Sequence, residues 1–188
     1  MRYVLIIFSL IPFGVMIYLW FFGGDIFIIK SSVSTLSTTV SNAIPISNSK
    51  YYLLSKISAH SAMWILLFAF WIEPLKRFIR FDLIEFKKML GAFALFYVVL
   101  HIVFLAGSYG FDISKLTKLS ISNLSYISGV LALIIISLAA LIKSWYKIIY
   151  IGVVLVITHL LVASGLSKNI EVVSVSMFAL ALALRLIK

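Results

Sequence analysis

The chain has 188 residues, 63% of them hydrophobic and only 12% charged, with a mean hydropathy of +1.18. Soluble domains carry about 25% charged residues, so half that share points to an integral membrane protein, expected as a single membrane domain over 1–188 with no room for a soluble catalytic domain. The net charge of +10 fits cytoplasmic loops better than nucleic acid, and the lack of cysteine excludes disulfides, cysteine-ligated iron–sulfur clusters and covalently attached c-type haem.

The first apolar run, 3–22, is long enough to span a membrane. Its length, Trp20 and the lack of a small-residue cleavage site argue against a cleaved signal peptide. Pro12 and Gly14 should kink it, which neighbouring helices can tolerate. Residues 23–50 form the longest polar stretch, Ser/Thr-rich, expected as an extramembrane loop with a short surface-lying piece around Ile26–Ile29. A docking loop for a partner is the functional alternative.

A second span is expected over 57–72, ending at Glu73-Pro74, and a basic loop with Lys76, Arg77, Arg80, Lys87 and Lys88 follows. The third span covers 89–106. After a short loop bearing Asp112, Lys115 and Lys118 come the fourth (124–142), the fifth (145–164) and the sixth (170–186). The expectation is an all-α, six-helix transmembrane bundle.

Orientation follows from the positive charges. With the N-terminus inside, Arg2, Lys76, Arg77, Arg80, Lys87, Lys88, Lys143, Lys147, Arg185 and Lys188 share one side. The other side collects Lys30, Lys50, Lys56, Lys115, Lys118 and Lys168. That imbalance favours both termini in the cytoplasm.

Two histidines lie deep in apolar runs, His101 in the third span and His159 in the fifth. An imidazole in a hydrocarbon layer is costly and marks a functional site by default. At 1.5 Å per residue, His101 lies roughly 18 Å beyond Met89 and His159 roughly 21 Å beyond Trp145, so the depths agree. Both spans cross in the same direction, which places the pair in the outer half of the bilayer. Seven residues before each, on the same helical face, stands a small residue, Ala94 and Gly152; Ala163 follows His159 by one turn. Matched imidazoles with cleared space would suit the iron of a b-type haem. Structural hydrogen bonding across the bundle and a proton relay fit the same spacing, and small residues also serve plain helix packing. His60, one turn into the second span, reads most simply as an interfacial histidine facing headgroups. A third ligand, a propionate partner or a quinone contact are its functional alternatives.

Five segments in order carry a resemblance. LIPFGVMIYLWFFGG, EPLKRF at 73–78, KKMLGAFALFYVVLH at 87–101, KIIYIGVVLVITH at 147–159 and the closing LALALRLIK together resemble one family. It is the haem-binding membrane subunit of bacterial periplasmic methionine sulfoxide reductase systems (the MsrQ family), within the ferric-reductase-like transmembrane superfamily. The third-helix signature is the most specific; the others weigh mainly as an ordered set. One departure stands out: the family usually has a second histidine thirteen residues before the one matched by His159, and here that position is Tyr146.

The resemblance implies a bacterial inner-membrane electron-transfer subunit rather than the catalytic subunit of an oxidoreductase. His101 and His159 would be axial ligands of haem b, with Tyr146 arguing for one haem where the family argues for two. Electrons would come from the quinone pool or a cytoplasmic flavin reductase and pass to a periplasmic molybdenum-cofactor enzyme that repairs oxidised methionine. Flavin mononucleotide is a further family feature in some accounts; no residue locates it here, and the basic 76–88 loop reads more simply as topology and lipid-headgroup contact. The chain lacks G-x-G-x-x-G and so should not take hydride from NAD(P)H by itself. Two other readings stand beside this one: a stand-alone transmembrane ferric or metal reductase, and a small transporter or packing protein with no redox role.

Overall fold

In the computed structural model, residues 2–22, 50–76, 84–142, 147–164 and 169–186 are described. Among them the chain is all helical. The helices are α1 (Arg2–Phe22), α2 (Lys50–Lys76), α3 (Ile84–Ser108), α4 (Ile113–Ser122), α5 (Leu124–Leu141), α6 (Ile149–Ser164) and α7 (Asn169–Leu186). Three stretches, Tyr3–Phe22, Lys50–Lys76 and Phe86–Ser108, are long and apolar enough to cross a membrane, which supports a membrane protein. Shorter apolar stretches lie at Leu124–Ala139, Ile149–Ala163 and Val172–Arg185. The expected surface piece at 26–29, the Ser/Thr-rich loop, Arg77, Arg80 and Tyr146 lie outside the described residues.

Several expected bounds shift: α3 begins at Ile84 rather than 89 and α6 at Ile149 rather than 145, so the helix starts from which the two histidine depths were counted move in opposite directions. Helix α2 starts at Lys50 rather than at 57, so Ser55 is helical as well. The short loop expected around Lys115 and Lys118 contains the ten-residue helix α4.

The chain divides into two compact units, Met1–Ala69 with Glu85–Ile113 and Phe70–Ile84 with Ser114–Lys188. In the first unit, α3 buries Leu90, Ala94, Tyr97 and Ser108, which with His101 are spaced by four, three, four and seven residues along one face. Tyr97 is fully buried, and its hydroxyl solves a problem set by α1. That helix contains Pro12, whose ring removes an N–H from the ladder and crowds the turn before it. The Tyr97 hydroxyl donates to the Ser9 carbonyl at 2.6 Å and accepts from the Phe13 N–H at 3.1 Å. Those two backbone groups would bond each other in an unbroken helix. A side chain inserted into the ladder is a recognised cause of a helix bend, and here it keeps both groups satisfied.

The end of α3 is closed by a Schellman turn. Phe111 N–H bonds Ala106 O at 2.8 Å and Gly110 N–H bonds Gly107 O at 3.0 Å, with Gly110 at φ +66°. An aromatic group gathers there: Tyr51 meets Trp20 edge-on at 5.3 Å and Phe111 at 6.3 Å. A Cβ on Gly107 would run into the Tyr51 ring, so glycine is what lets that ring close on α3.

In the second unit α5 and α6 form an antiparallel pair. Asn123 caps α5, its side-chain oxygen accepting the Ser125 N–H at 3.0 Å. Helix α7 buries Ser174, Phe178, Ala181 and Arg185 along one face. Pro74 again leaves a ladder carbonyl without its usual donor, that of Phe70 four residues back. Arg185 supplies the donor: one guanidinium nitrogen bonds Phe70 O, another pairs with Glu73 at 2.7 Å, and the group stacks over the Phe70 ring at 3.8 Å. This buried cation is therefore matched to a carboxylate, a carbonyl and an aromatic face.

Candidate functional site

His101 stands one turn beyond Tyr97 on α3, half buried in the first unit. Its Nδ1 lies 2.9 Å from the backbone oxygen of Ser55 on α2 and 2.9 Å from the Ser55 hydroxyl. A carbonyl oxygen only accepts, so Nδ1 carries the proton. In the neutral ring the lone pair is then on Nε2.

His159, on α6 of the second unit, is held the same way. Its Nδ1 donates to the Ser125 carbonyl at 2.7 Å, with the Ser125 hydroxyl at 3.4 Å. The ring lies hard against α5: a Cβ built on Gly129 would fall 2.9 Å from Nδ1 and 3.0 Å from Cε1. Only glycine at 129 permits that approach without a shift of ring or helix.

Each histidine thus uses Nδ1 on a serine carbonyl one helix earlier in its own unit. A metal-ligating histidine characteristically donates its second ring N–H to a carbonyl or carboxylate, which fixes tautomer and orientation and raises ligand basicity. Both rings have the Nδ1 half of that arrangement, which leaves Nε2 as the unprotonated nitrogen of the neutral ring. Among the described residues no group of three or more His, Cys, Asp or Glu gathers as a bare-ion site. A macrocycle supplies four ligands of its own and asks the protein for only one or two, so this donor set fits an axially ligated haem.

The other residues singled out in the sequence fall as follows. Ala94 is buried on the His101 face of α3. Gly152 is buried where α6 meets α5: a Cβ there would fall 2.6 Å from Ile136 Cγ1, so its small size admits the neighbouring helix. His60 turns its Nδ1 to the Lys56 carbonyl of its own helix at 2.8 Å. An apolar groove of about 310 Å³ between α1 and α3, lined by Leu10, Met89, Ala92, Phe93 and Phe96, offers no polar side chain to orient a ligand.

Sequence reasoning missed the serines. The signal was present: Leu54-Ser55-Lys56-Ile57-Ser58-Ala59 recurs as Leu124-Ser125-Tyr126-Ile127-Ser128-Gly129, once per unit. Against known proteins, the chain matches no family model, no curated protein and no solved structure.

Proposed function

We propose that the chain is a membrane electron-transfer subunit carrying b-type haem, with His101 and His159 as axial ligands through Nε2. The observation that carries this reading is the duplicated donor geometry, two Nδ1–H groups each committed to a serine carbonyl. Haem, when bound, would supply one-electron chemistry, its potential set by ligation and burial. The chain's own residues orient the two rings and move no proton.

The wider reading follows the family resemblance. It is a six-helix bundle of the bacterial inner membrane with both termini cytoplasmic, taking electrons from the quinone pool or a flavin reductase. It hands them to a periplasmic molybdenum-cofactor methionine sulfoxide reductase. Co-purification with such a partner supports this over a stand-alone metal reductase.

An absorption spectrum of the detergent-purified protein, before and after dithionite, is the deciding experiment. The expected result is a low-spin bis-histidine haem that His101→Ala and His159→Ala each abolish, while His60→Ala leaves the spectrum unchanged. The same hydrogen bonds also suit histidines that merely glue helices together. That reading predicts a colourless protein.

A further inference from the structure

Each serine pair does more than present a carbonyl. Ser58, fully buried, has its hydroxyl 2.9 Å from the Ser55 oxygen and 2.9 Å from the Leu54 oxygen. Ser128, 2% exposed, has its hydroxyl 2.9 Å from the Ser125 oxygen. In both places the carbonyl that takes the imidazole proton also faces a hydroxyl three residues on, although Ser58 divides its one proton between the Ser55 and Leu54 oxygens. One acceptor shared between two side-chain donors serves each less strongly than it would serve one.

Resting on the haem reading, we infer that Ser58 and Ser128 are positioning residues that tune the two iron-ligating histidines through the shared carbonyls of Ser55 and Ser125. The direction follows from the chemistry. A stronger Nδ1–H···O bond gives the ring more imidazolate character and favours ferric over ferrous iron. By drawing on the same oxygen, each serine hydroxyl weakens that bond and raises the potential. The five-residue repeat Leu-Ser-x-Ile-Ser places the device once in each unit, before two histidines that lie 46 and 34 residues downstream of their clip serines. It recurs at two different sequence separations, on helix pairs of different length.

The test is a redox titration of the haem spectrum in the purified full-length protein. Ser58→Ala and Ser128→Ala should retain haem and each lower the midpoint potential. The expected size is about a threefold change in the oxidised-to-reduced ratio, or ~28 mV at ~59 mV per tenfold for one electron. Ser108→Ala is the control: that hydroxyl bonds back to Leu105 O of its own helix at 2.7 Å and touches neither clip. Its potential should match wild type, and Ser128→Thr, which restores a hydroxyl, should return the potential of Ser128→Ala towards it. An unchanged or raised potential in both alanine variants overturns the inference and leaves the haem reading standing. If an alanine variant loses its haem, retention in the corresponding threonine variant supports the inference, and equal loss overturns it. A wild-type protein without haem overturns the underlying reading instead.

Discussion

At His101 the Ser55 hydroxyl comes as close to Nδ1 as the carbonyl does, both at 2.9 Å, on a pair of long helices of 27 and 25 residues. At His159 the hydroxyl stands off at 3.4 Å, the carbonyl alone takes the proton at 2.7 Å, and the helices have 18 and 16 residues. The repeats differ at one informative place: Ala59 in the first, Gly129 in the second. The second unit brings its ring onto the helix backbone and depends on a missing Cβ to do so. The first spreads the same task over two acceptor atoms. The same motif is thus realised once with redundancy and once by close approach.

Gly129→Ala should break that comparison most sharply. The added methyl group meets the His159 ring, and overpacking of this kind costs about 1–3 kcal/mol. On the haem proposal the expected outcome is loss of the low-spin spectrum, whereas Ala59→Gly costs no more than ~1 kcal/mol of helix propensity and leaves the spectrum intact. Equal effects of the two substitutions would show that the clips do not differ as described.

Tyr97→Phe acts on the first unit. It keeps the ring but withdraws the hydroxyl between Ser9 O and Phe13 N, leaving buried backbone groups short of a partner at a cost of about 1–3 kcal/mol. Thermal unfolding in detergent should shift downwards, with the His159 clip unaffected. The smallest change expected is for Asn123→Ala, which removes the cap from the Ser125 N–H for about 1 kcal/mol. It should loosen the His159 clip only, read as a modest stability loss without bleaching.

Much of the helical layout was legible because hydropathy changes abruptly at its edges. The expected fourth span at 124–142 differs from α5 by one residue, and 3–22 and 170–186 are equally close. The start of α2 was not legible, since Lys50, Tyr51, Tyr52, Ser55, Lys56 and Ser58 dilute the apolar signal that defines a span. Helix α4 was hidden by its own polarity, six of its ten residues being Ser, Thr or Lys. The two histidines stood out through the cost of burying an imidazole, but their acceptors are backbone oxygens that every residue possesses. Which oxygen lies within reach depends on helix register across 34 and 46 residues, and no local pattern encodes that. The repeated Leu-Ser-x-Ile-Ser was the one trace of it.

The two interior prolines carry a consequence for assembly. Apolar helices in lipid have little to tell one neighbour from another, because hydrocarbon tails are as oily as leucine. A proline-made gap in a helix is an exception, a polar blemish that only a donor or acceptor at one height and azimuth can repair. Tyr97 repairs α1 and Arg185 repairs α2. Each blemish therefore works as an address label, by which an otherwise anonymous helix selects its mate and rejects the rest.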